Sequence, residues 1–303
     1  MISTNRRQFL LDTALGLGGV ALALRPTRPM HADPFGIPVG LQLYTVRQAM
    51  QKDIEGTLKK VAAVGYPEVE LFSFFGKTPA QLRQLLDEAH LTAPSGHSTA
   101  SDLRVNPQAK VDYAKQLGLK YLVCAFPAPA NPSLFKGTIS RDLTLNDWKW
   151  LAGFFNKVGE QCQQAGLHFC YHGHNFEFRE YDGVVAYDYL LQHTDPKLVN
   201  FEMDCYWVSR AGRDPVAYFE KYPGRFPLLH IKDMKPGFPP TTDIGEGAKA
   251  FTEVGRGVIN WKRIFQHAHT AGMKYYFVEQ DVCSDPVFQC IKISYDYLHH
   301  LQV

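Results

Sequence analysis

Side chains able to bind a metal ion follow the ends of four short apolar segments in this 303-residue chain. They are His172 and His174, with Glu177 three residues later, then Asp204, then His230 with Lys232, and finally Glu279. Imidazoles and carboxylates together suit Mn²⁺, Zn²⁺ or Co²⁺, with Mg²⁺ as a further candidate. Carboxylates buried together without a cation cost several kcal/mol per ion. We therefore predict Asp204, His230 and Glu279 as ligands of a divalent metal, with a fourth ligand from residues 172–177.

Each of these three residues also has a purely structural explanation when it is taken alone. His230 follows two leucines and could be a hydrogen-bonded core histidine, Asp204 could cap a helix, and Glu279 could pair with a lysine. Their joint occurrence after three successive apolar segments favours the metal site.

Eight short apolar segments predict buried parallel strands, because they are rich in β-branched and aromatic residues. They cover Val39–Tyr44, Pro67–Phe72, Thr92–His97, Lys120–Phe126, Leu167–His174, Leu198–Asp204, Phe226–Ile231 and Lys274–Gln280. Amphipathic stretches predict helices between them. The clearest are Ile54–Val64, Pro79–His90, Ala109–Leu117, Leu145–Ala165, Pro215–Tyr222 and Trp261–Ala271.

Eight strand–helix units over residues 33–303 predict a single-domain (β/α)8 TIM barrel. A doubly wound open sheet is the alternative, and it is disfavoured because no G-x-G-x-x-G follows the first strand. In a barrel the carboxyl ends of the strands meet at one mouth, so the polar residues named above are expected to converge there. The Pro- and Gly-rich stretches 127–143 and 234–257 are predicted to form loops over that mouth.

Residues 1–32 resemble an export signal that is removed from the mature protein. Arg6-Arg7-Gln8-Phe9-Leu10 precedes an apolar stretch from Thr13 to Leu24, which is too short to cross a bilayer core of about 30 Å. The twin arginines resemble a Tat signal, with Asn5 where Ser or Thr is usual. The resemblance implies Tat export machinery as a partner, a periplasmic or secreted location and no stable membrane anchor after cleavage.

Charge and cysteine spacing argue against nucleic-acid binding and against a cysteine-bound zinc site or disulfides. The whole chain has net charge +2, but without residues 1–32 it has 28 basic and 29 acidic residues and a net charge of −1. Such a chain lacks the basic surface that binds nucleic acid. The six cysteines show no C-x-x-C spacing, and Cys124, Cys170 and Cys205 lie in or beside apolar segments, so buried free thiols are expected rather than a zinc knuckle or disulfides.

Four longer motifs carry a resemblance to a known family. They are Tyr171-His172-Gly173-His174-Asn175-Phe176-Glu177-Phe178, Glu202-Met203-Asp204-Cys205-Tyr206-Trp207, Leu229-His230-Ile231-Lys232-Asp233-Met234 and Val278-Glu279-Gln280-Asp281. Over residues 39–301 the chain resembles the sugar phosphate isomerase/epimerase family of the xylose isomerase-like TIM barrel superfamily. The resemblance implies a divalent metal bound by Glu, Asp, His and Glu. Asp204, His230 and Glu279 match directly, while the first Glu is replaced, leaving His174, Glu177 and His172 as fourth-ligand candidates in that order.

The chemistry implied is removal of a proton beside a metal-bound carbonyl. A positioned base contributes roughly 10²–10⁴-fold, and Glu177, His172 and Glu279 are the candidates, with Lys232 placed to stabilise negative charge on oxygen. Lys232 could instead pair with Asp233 or another acid. Predicted substrate contacts at other strand ends are Tyr44, Glu70, His97 and Trp207, of which Tyr44 and Trp207 could equally be packing residues.

The first function expected is a metal-dependent sugar isomerase or epimerase acting through an enediolate. The first alternative is a lyase or dehydratase that removes the same proton from a keto-sugar or inosose and then expels a β-substituent. A non-catalytic sugar-binding barrel and an endonuclease IV-like nuclease are further alternatives, the nuclease being disfavoured by the charge of −1. Both a monomer and an oligomer are compatible with the sequence.

Overall fold

Eight parallel strands close into a barrel in the computed structural model, which describes residues 36–134, 143–283 and 285–303. Each strand pairs with the strands before and after it in the chain, and β1 pairs with β8 to close the ring. The strands are β1 Val39–Gln42, β2 Glu68–Leu71, β3 Thr92–Thr99, β4 Tyr121–Phe126, β5 His168–His172, β6 Val199–Asp204, β7 Leu228–Ile231 and β8 Tyr275–Val278. The predicted (β/α)8 TIM barrel is confirmed.

Helices cover the outside of the barrel. The eight that follow successive strands are α1 Ile54–Val64, α2 Pro79–Glu88, α3 Pro107–Leu117, α4 Leu145–Ala165, α5 Ala186–His193, α6 Pro215–Lys221, α7 Trp261–Gln266 and α8 Val287–His300. Shorter α-helices cover Arg47–Lys52, Ala100–Val105, Cys205–Arg210, Ile244–Gly247 and Ala268–Ala271. Two-residue strands form antiparallel pairs at Glu180–Tyr181 with Val184–Val185 and at Asp233–Met234 with Phe251–Thr252.

The helices begin and end where their capping residues require. Thr78 and Thr144 form capping boxes with the third residue of α2 and α4, satisfying free N–H groups at each helix start. Gly118 and Gly166 adopt the left-handed conformation directly after α3 and α4, which ends each helix and returns the chain to the sheet.

The sequence-based bounds are too long for some strands and miss two helices. β1, β5 and β8 end at Gln42, His172 and Val278, so His174 and Glu279 lie just beyond the pleated strands. The predicted helix 261–271 is interrupted at His267, and neither α5 nor α8 was among the predicted helices. Most apolar residues on the sheet and on the inner helix faces form one large buried core, while Tyr121, Val123, Cys170, Leu228 and Phe277 form a smaller separate cluster.

Several sequence predictions concern residues outside the described range. The export signal at 1–32 and part of the loop 127–143 lie there. Within the described residues, no helix combines the length and the apolar composition that a membrane span needs. The six cysteines are free thiols, five of them buried.

Candidate active site

Three carboxylates and two cationic side chains meet at the carboxyl ends of β6, β7 and β8. We call Asp204, His230, Lys232, Glu279 and Asp281 the upper cluster. His230 Nδ1 lies 2.9 Å from Glu279 Oε2 and 3.8 Å from Asp204 Oδ2. Ligand atoms of Asp204, His230 and Glu279 all lie within 4.8 Å of one another, so these three side chains could hold one metal ion.

The ammonium of Lys232 lies among the carboxylates of the upper cluster. Its Nζ is 3.0 Å from Asp204 Oδ2, 2.7 Å from Glu279 Oε2 and 3.0 Å from Asp281 Oδ1. Burial opposes the charged form, but these carboxylates outweigh it and raise the pKa of Lys232 well above its usual value. Lys232 is therefore a fixed positive charge at the site.

A second set of polar side chains lies inside the barrel beside the upper cluster. We call Gln42, Glu70, His97, His172 and Glu202 the lower cluster, and the Nε2 edge of His230 faces it. Three histidine nitrogens surround Glu202 Oε2. They are His172 Nδ1 at 2.8 Å, His97 Nε2 at 2.9 Å and His230 Nε2 at 3.2 Å.

Glu70 is the other carboxylate of the lower cluster, and protein donors surround it. Its Oε2 accepts a hydrogen bond from Gln42 Nε2 at 2.7 Å and lies 2.6 Å from His230 Nε2, while Oε1 accepts from the Ser95 hydroxyl. Burial would raise the pKa of Glu70, but His97 and His230 lower it below the usual range. In return, Glu70 and Glu202 overcome burial and raise the pKa of His97 to about 10.

His174 lies in an aromatic pocket beside the lower cluster, with its ring centroid 4.8 Å from that of His172. Its ring stacks on Phe126 and Phe176 at centroid distances of 4.6 and 5.5 Å, and its buried Nδ1 has no hydrogen-bond partner. Burial, reinforced by the charge of Lys232, lowers the pKa of His174 well below its usual value, so the ring is neutral at pH 7.

Glu177 supports the turn that carries His174. It is fully buried, and it accepts hydrogen bonds from Tyr171 Oη at 2.6 Å and from the backbone N–H of His174 at 2.8 Å. Burial raises the pKa of Glu177 to about 7 despite these bonds. Its contacts orient the neighbouring backbone.

A loop from the β7 end covers the site and is fastened to the ends of β5 and β6. Asn175 Nδ2 donates to the carbonyls of Thr241 and Asp243 at 2.9 and 3.0 Å. Beneath this loop, Trp207 and Phe251 present their ring faces to Lys232 Nζ at 5.4 and 5.7 Å. The loop predicted at 234–257 therefore lies over the predicted mouth.

Asp233 organises the next turn rather than pairing with Lys232. Its carboxylate accepts from the N–H groups of Gly255, Gly257 and Ile259 and from the Trp261 indole, at 2.9 to 3.2 Å. A Cβ on Gly257 would lie 2.1 Å from Asp233 Oδ1, which explains the glycine. The proposed Lys232–Asp233 salt bridge is replaced by the three acids of the upper cluster.

The structure brings together most of the predicted site residues. Asp204, His230, Lys232 and Glu279 meet in the upper cluster, while Glu70, His97 and His172 meet in the lower one. His174 and Glu177 belong to neither cluster. Trp207 is buried beside Lys232, whereas Tyr44 is 37% exposed and packs on Arg47 and Phe72.

Sequence reasoning missed Gln42, Glu202 and Asp281. Glu202 and Asp281 stand two residues from Asp204 and Glu279, and the two-residue period of a strand places Glu202 on the same face as Asp204. That spacing could have revealed Glu202. A cavity of about 400 Å³ lined by Lys120, His168 and Tyr275 opens at the other end of the strands, away from both clusters.

Comparisons with known proteins agree with this architecture. The inosose dehydratase of Lacticaseibacillus casei is 24% identical over 265 residues, covering 80% of this chain and 88% of that protein. The inosose dehydratase of Geobacillus kaustophilus (strain HTA426) is 27% identical over 191 residues, covering 59% and 61%. A crystal structure of a sugar phosphate isomerase/epimerase from Parabacteroides distasonis ATCC 8503 superimposes with a TM-score of 0.70 at 27% identity, covering 87% of this chain and 93% of that one.

A family model also matches the chain. The model described as xylose isomerase-like TIM barrel matches residues 58–282, from within α1 to just beyond β8. That range includes both clusters except Gln42, and it spans well over half of the chain. The chain therefore belongs to the xylose isomerase-like TIM barrel family.

Proposed function

We propose that this protein is a divalent-metal-dependent lyase that eliminates a β-substituent, water in the simplest case, from a keto-sugar or an inosose-like cyclic ketone. The proposal rests on the relatives named inosose dehydratase, the first of which aligns with 80% of this chain. Their name favours the lyase alternative over the isomerase or epimerase expected first from the sequence. The polar groups at the strand ends supply the chemistry that such a reaction needs.

The upper cluster fits a divalent cation. Its three acids carry more negative charge than Lys232 and His230 can balance, and the buried Asp204 Oδ2 accepts no hydrogen bond although Lys232 Nζ is 3.0 Å away. Asp204, His230 and Glu279 would hold the ion, which when bound supplies Lewis acidity to a carbonyl and an adjacent hydroxyl. Mn²⁺, Zn²⁺ and Co²⁺ suit these ligands best.

His174 is the group best placed to take the proton. Its Nδ1 is buried without a partner, whereas the carboxylate of Glu177 is occupied by Tyr171 and by a backbone N–H. The Lys232 ammonium would stabilise negative charge on the substrate carbonyl oxygen. In the net reaction a C–H and a C–O bond on adjacent carbons break, a C=C bond forms and the proton leaves with the hydroxyl as water.

Product analysis in D₂O separates the two reaction types. The metal-loaded protein is incubated with inosose and a panel of keto-sugars, and the products are followed by ¹H and ¹³C NMR, with Asp204→Asn as the inactive control. Elimination gives an α,β-unsaturated ketone, or the 1,2-diketone to which an α-hydroxy enone tautomerises, without the leaving group. An isomerase or epimerase instead incorporates deuterium without loss of any substituent, and that result would refute the lyase assignment.

The isomerase or epimerase is retained as the second candidate because structural matches carry that name. The sugar phosphate isomerase/epimerase of P. distasonis shares the fold over 87% of this chain. Both reactions begin with removal of the same proton, so the NMR experiment decides between them.

We also propose that the protein is exported in folded form through a Tat-type route. The support is the sequence Arg6-Arg7-Gln8-Phe9-Leu10 and the apolar stretch after it. Replacing Arg6 and Arg7 by lysine should retain the protein in the cytoplasm. Fractionation of an expressing Gram-negative host measures this, and unchanged periplasmic protein would contradict the proposal.

A further inference from the structure

The lower cluster contains more metal-binding side chains than one metal in the upper cluster would use. His97, His172 and Glu202 take no part in the upper cluster, yet with His230 they form a second group whose ligand atoms all lie within 4.8 Å of one another. We propose that this group binds a second divalent cation, through His97 Nε2, His172 Nδ1, Glu202 Oε2 and His230 Nε2.

The distances in the lower cluster favour a metal. Three imidazole nitrogens from β3, β5 and β7 lie 2.8 to 3.2 Å from the same carboxylate oxygen, Glu202 Oε2. An ion bound at about 2.0–2.1 Å from each nitrogen and from a carboxylate oxygen requires its ligands to be about 3.3 Å apart. The three nitrogen–oxygen distances therefore lie within about 0.5 Å of the spacing that a metal requires, and all four atoms lie within 4.8 Å of one another.

Burial and charge point the same way. Glu70 and Glu202 are fully buried, and the Glu202 Oε1 atom has no hydrogen-bond partner. Among the described residues, the ion-pair partners of these two carboxylates are histidines, with neither lysine nor arginine among them. One divalent cation balances both acids while leaving the imidazoles free to bind it.

His230 connects the two sites. Its Nδ1 faces Asp204 and Glu279, while its Nε2 faces Glu70 and Glu202. With both ions bound, its ring would direct one nitrogen at each, which requires the imidazole to lose its remaining N–H proton to solvent. This arrangement is independent of the reaction that the upper site supports.

Metal stoichiometry tests the second site directly. The full chain is loaded with Mn²⁺ or Zn²⁺, desalted, and its metal content per chain is measured by mass spectrometry. We expect two ions in the wild-type protein, one in His97→Gln and His172→Gln, and one in Asp204→Asn. Asp214→Asn, at an exposed ion pair with Arg263, serves as the matched control and should retain two.

A second readout covers variants that fold poorly. Titration of the metal-free wild-type protein with Co²⁺, followed by its visible absorption, should show two successive equivalents. A single equivalent in the wild-type protein, or two equivalents in both His97→Gln and His172→Gln, would overturn the second site. If the wild-type protein binds one ion and only Asp204→Asn loses it, the second site is refuted and the proposed lyase is unaffected. If the protein binds two ions but shows no elimination activity, the lyase is refuted and the second site stands.

Discussion

At the scale of single residues, the site separates groups with fixed charge from a group free to react. Lys232 is held by three carboxylates whose charge keeps it protonated, and Asp204 and Glu279 already interact with His230 and Lys232. His174 has an uncommitted nitrogen in an aromatic pocket. In the proposed lyase the upper cluster would therefore bind the metal and His174 would take the proton.

Replacing His174 by Gln separates its two candidate roles. If His174 is the base, kcat falls by roughly 10²–10⁴-fold while the metal content per chain is unchanged. Steady-state kinetics and metal analysis of the same preparation measure both quantities. Loss of one metal equivalent would instead make His174 a ligand, as the sequence first suggests.

Much of the upper cluster could be predicted from sequence because its members follow apolar strands directly. Asp204, His230 and Glu279 each stand at such an end, and parallel strands of a barrel bring these ends together. The partners of Lys232 could not be predicted, because Asp233 is its neighbour in sequence but the turn at 255–261 takes that carboxylate. The burial of Glu70 inside the barrel could not be predicted either, because the depth of a strand residue depends on the register between neighbouring strands.

At the scale of elements, the two glycines of α4 lie in different surroundings. Gly153 has no other atom within 4 Å of the place a Cβ would take, whereas on Gly159 it would lie 2.4 Å from the carbonyl oxygen of Leu198. The amphipathic pattern predicts the bounds of α4 correctly, 145–165, because its caps and apolar face agree. The pattern does not show which glycine contacts the barrel, because the contacting atom belongs to Leu198, which is distant in sequence.

The two glycines of α4 should respond oppositely to alanine. Gly153→Ala is expected to stabilise the fold by about 0.5–1 kcal/mol, since alanine restricts the unfolded chain and favours helix. Gly159→Ala should destabilise it by about 1–3 kcal/mol through overpacking against backbone. Urea denaturation followed by circular dichroism measures both changes, and equal effects at the two positions would contradict the packing described.

The start of α4 should be sensitive to pH. Burial alone would raise the pKa of Asp147, but hydrogen bonds from Thr144 and from the Ala130 N–H outweigh it and lower the pKa. The ionised carboxylate therefore stabilises the folded state above the unfolded pKa of about 4, and this stabilisation is lost as pH falls through the lower folded pKa.

Asp147→Asn tests this pH dependence. The variant should be less stable than wild type by about 1 kcal/mol at pH 7, the usual value of a helix cap. The difference should disappear in acid below the folded pKa, where the wild-type carboxyl is also uncharged. Urea denaturation at a series of pH values measures it, and a difference that is constant with pH would count against the ionised cap.

At the scale of the whole molecule, the barrel brings eight strand ends to one mouth, and a loop fastened to the ends of β5 and β6 covers the polar side chains there. The strand–helix rhythm was sufficient to predict this architecture, since eight units can close only by pairing β1 with β8. The reaction was harder to predict, because isomerases and lyases share the same first step. The relatives' names favour elimination, and the metal is common to both readings.

Removal and return of the metal test whether the proposed elimination depends on a bound divalent cation. The protein is stripped with a chelator, assayed for elimination from inosose or a keto-sugar, and reassayed after addition of Mn²⁺, Zn²⁺ or Co²⁺, alongside Asp204→Asn. We expect stripping to lower the rate by about 10²-fold or more, and added metal to restore it in the wild-type protein but not in the variant. Undiminished elimination by the stripped protein, or equal restoration in Asp204→Asn, would contradict this expectation.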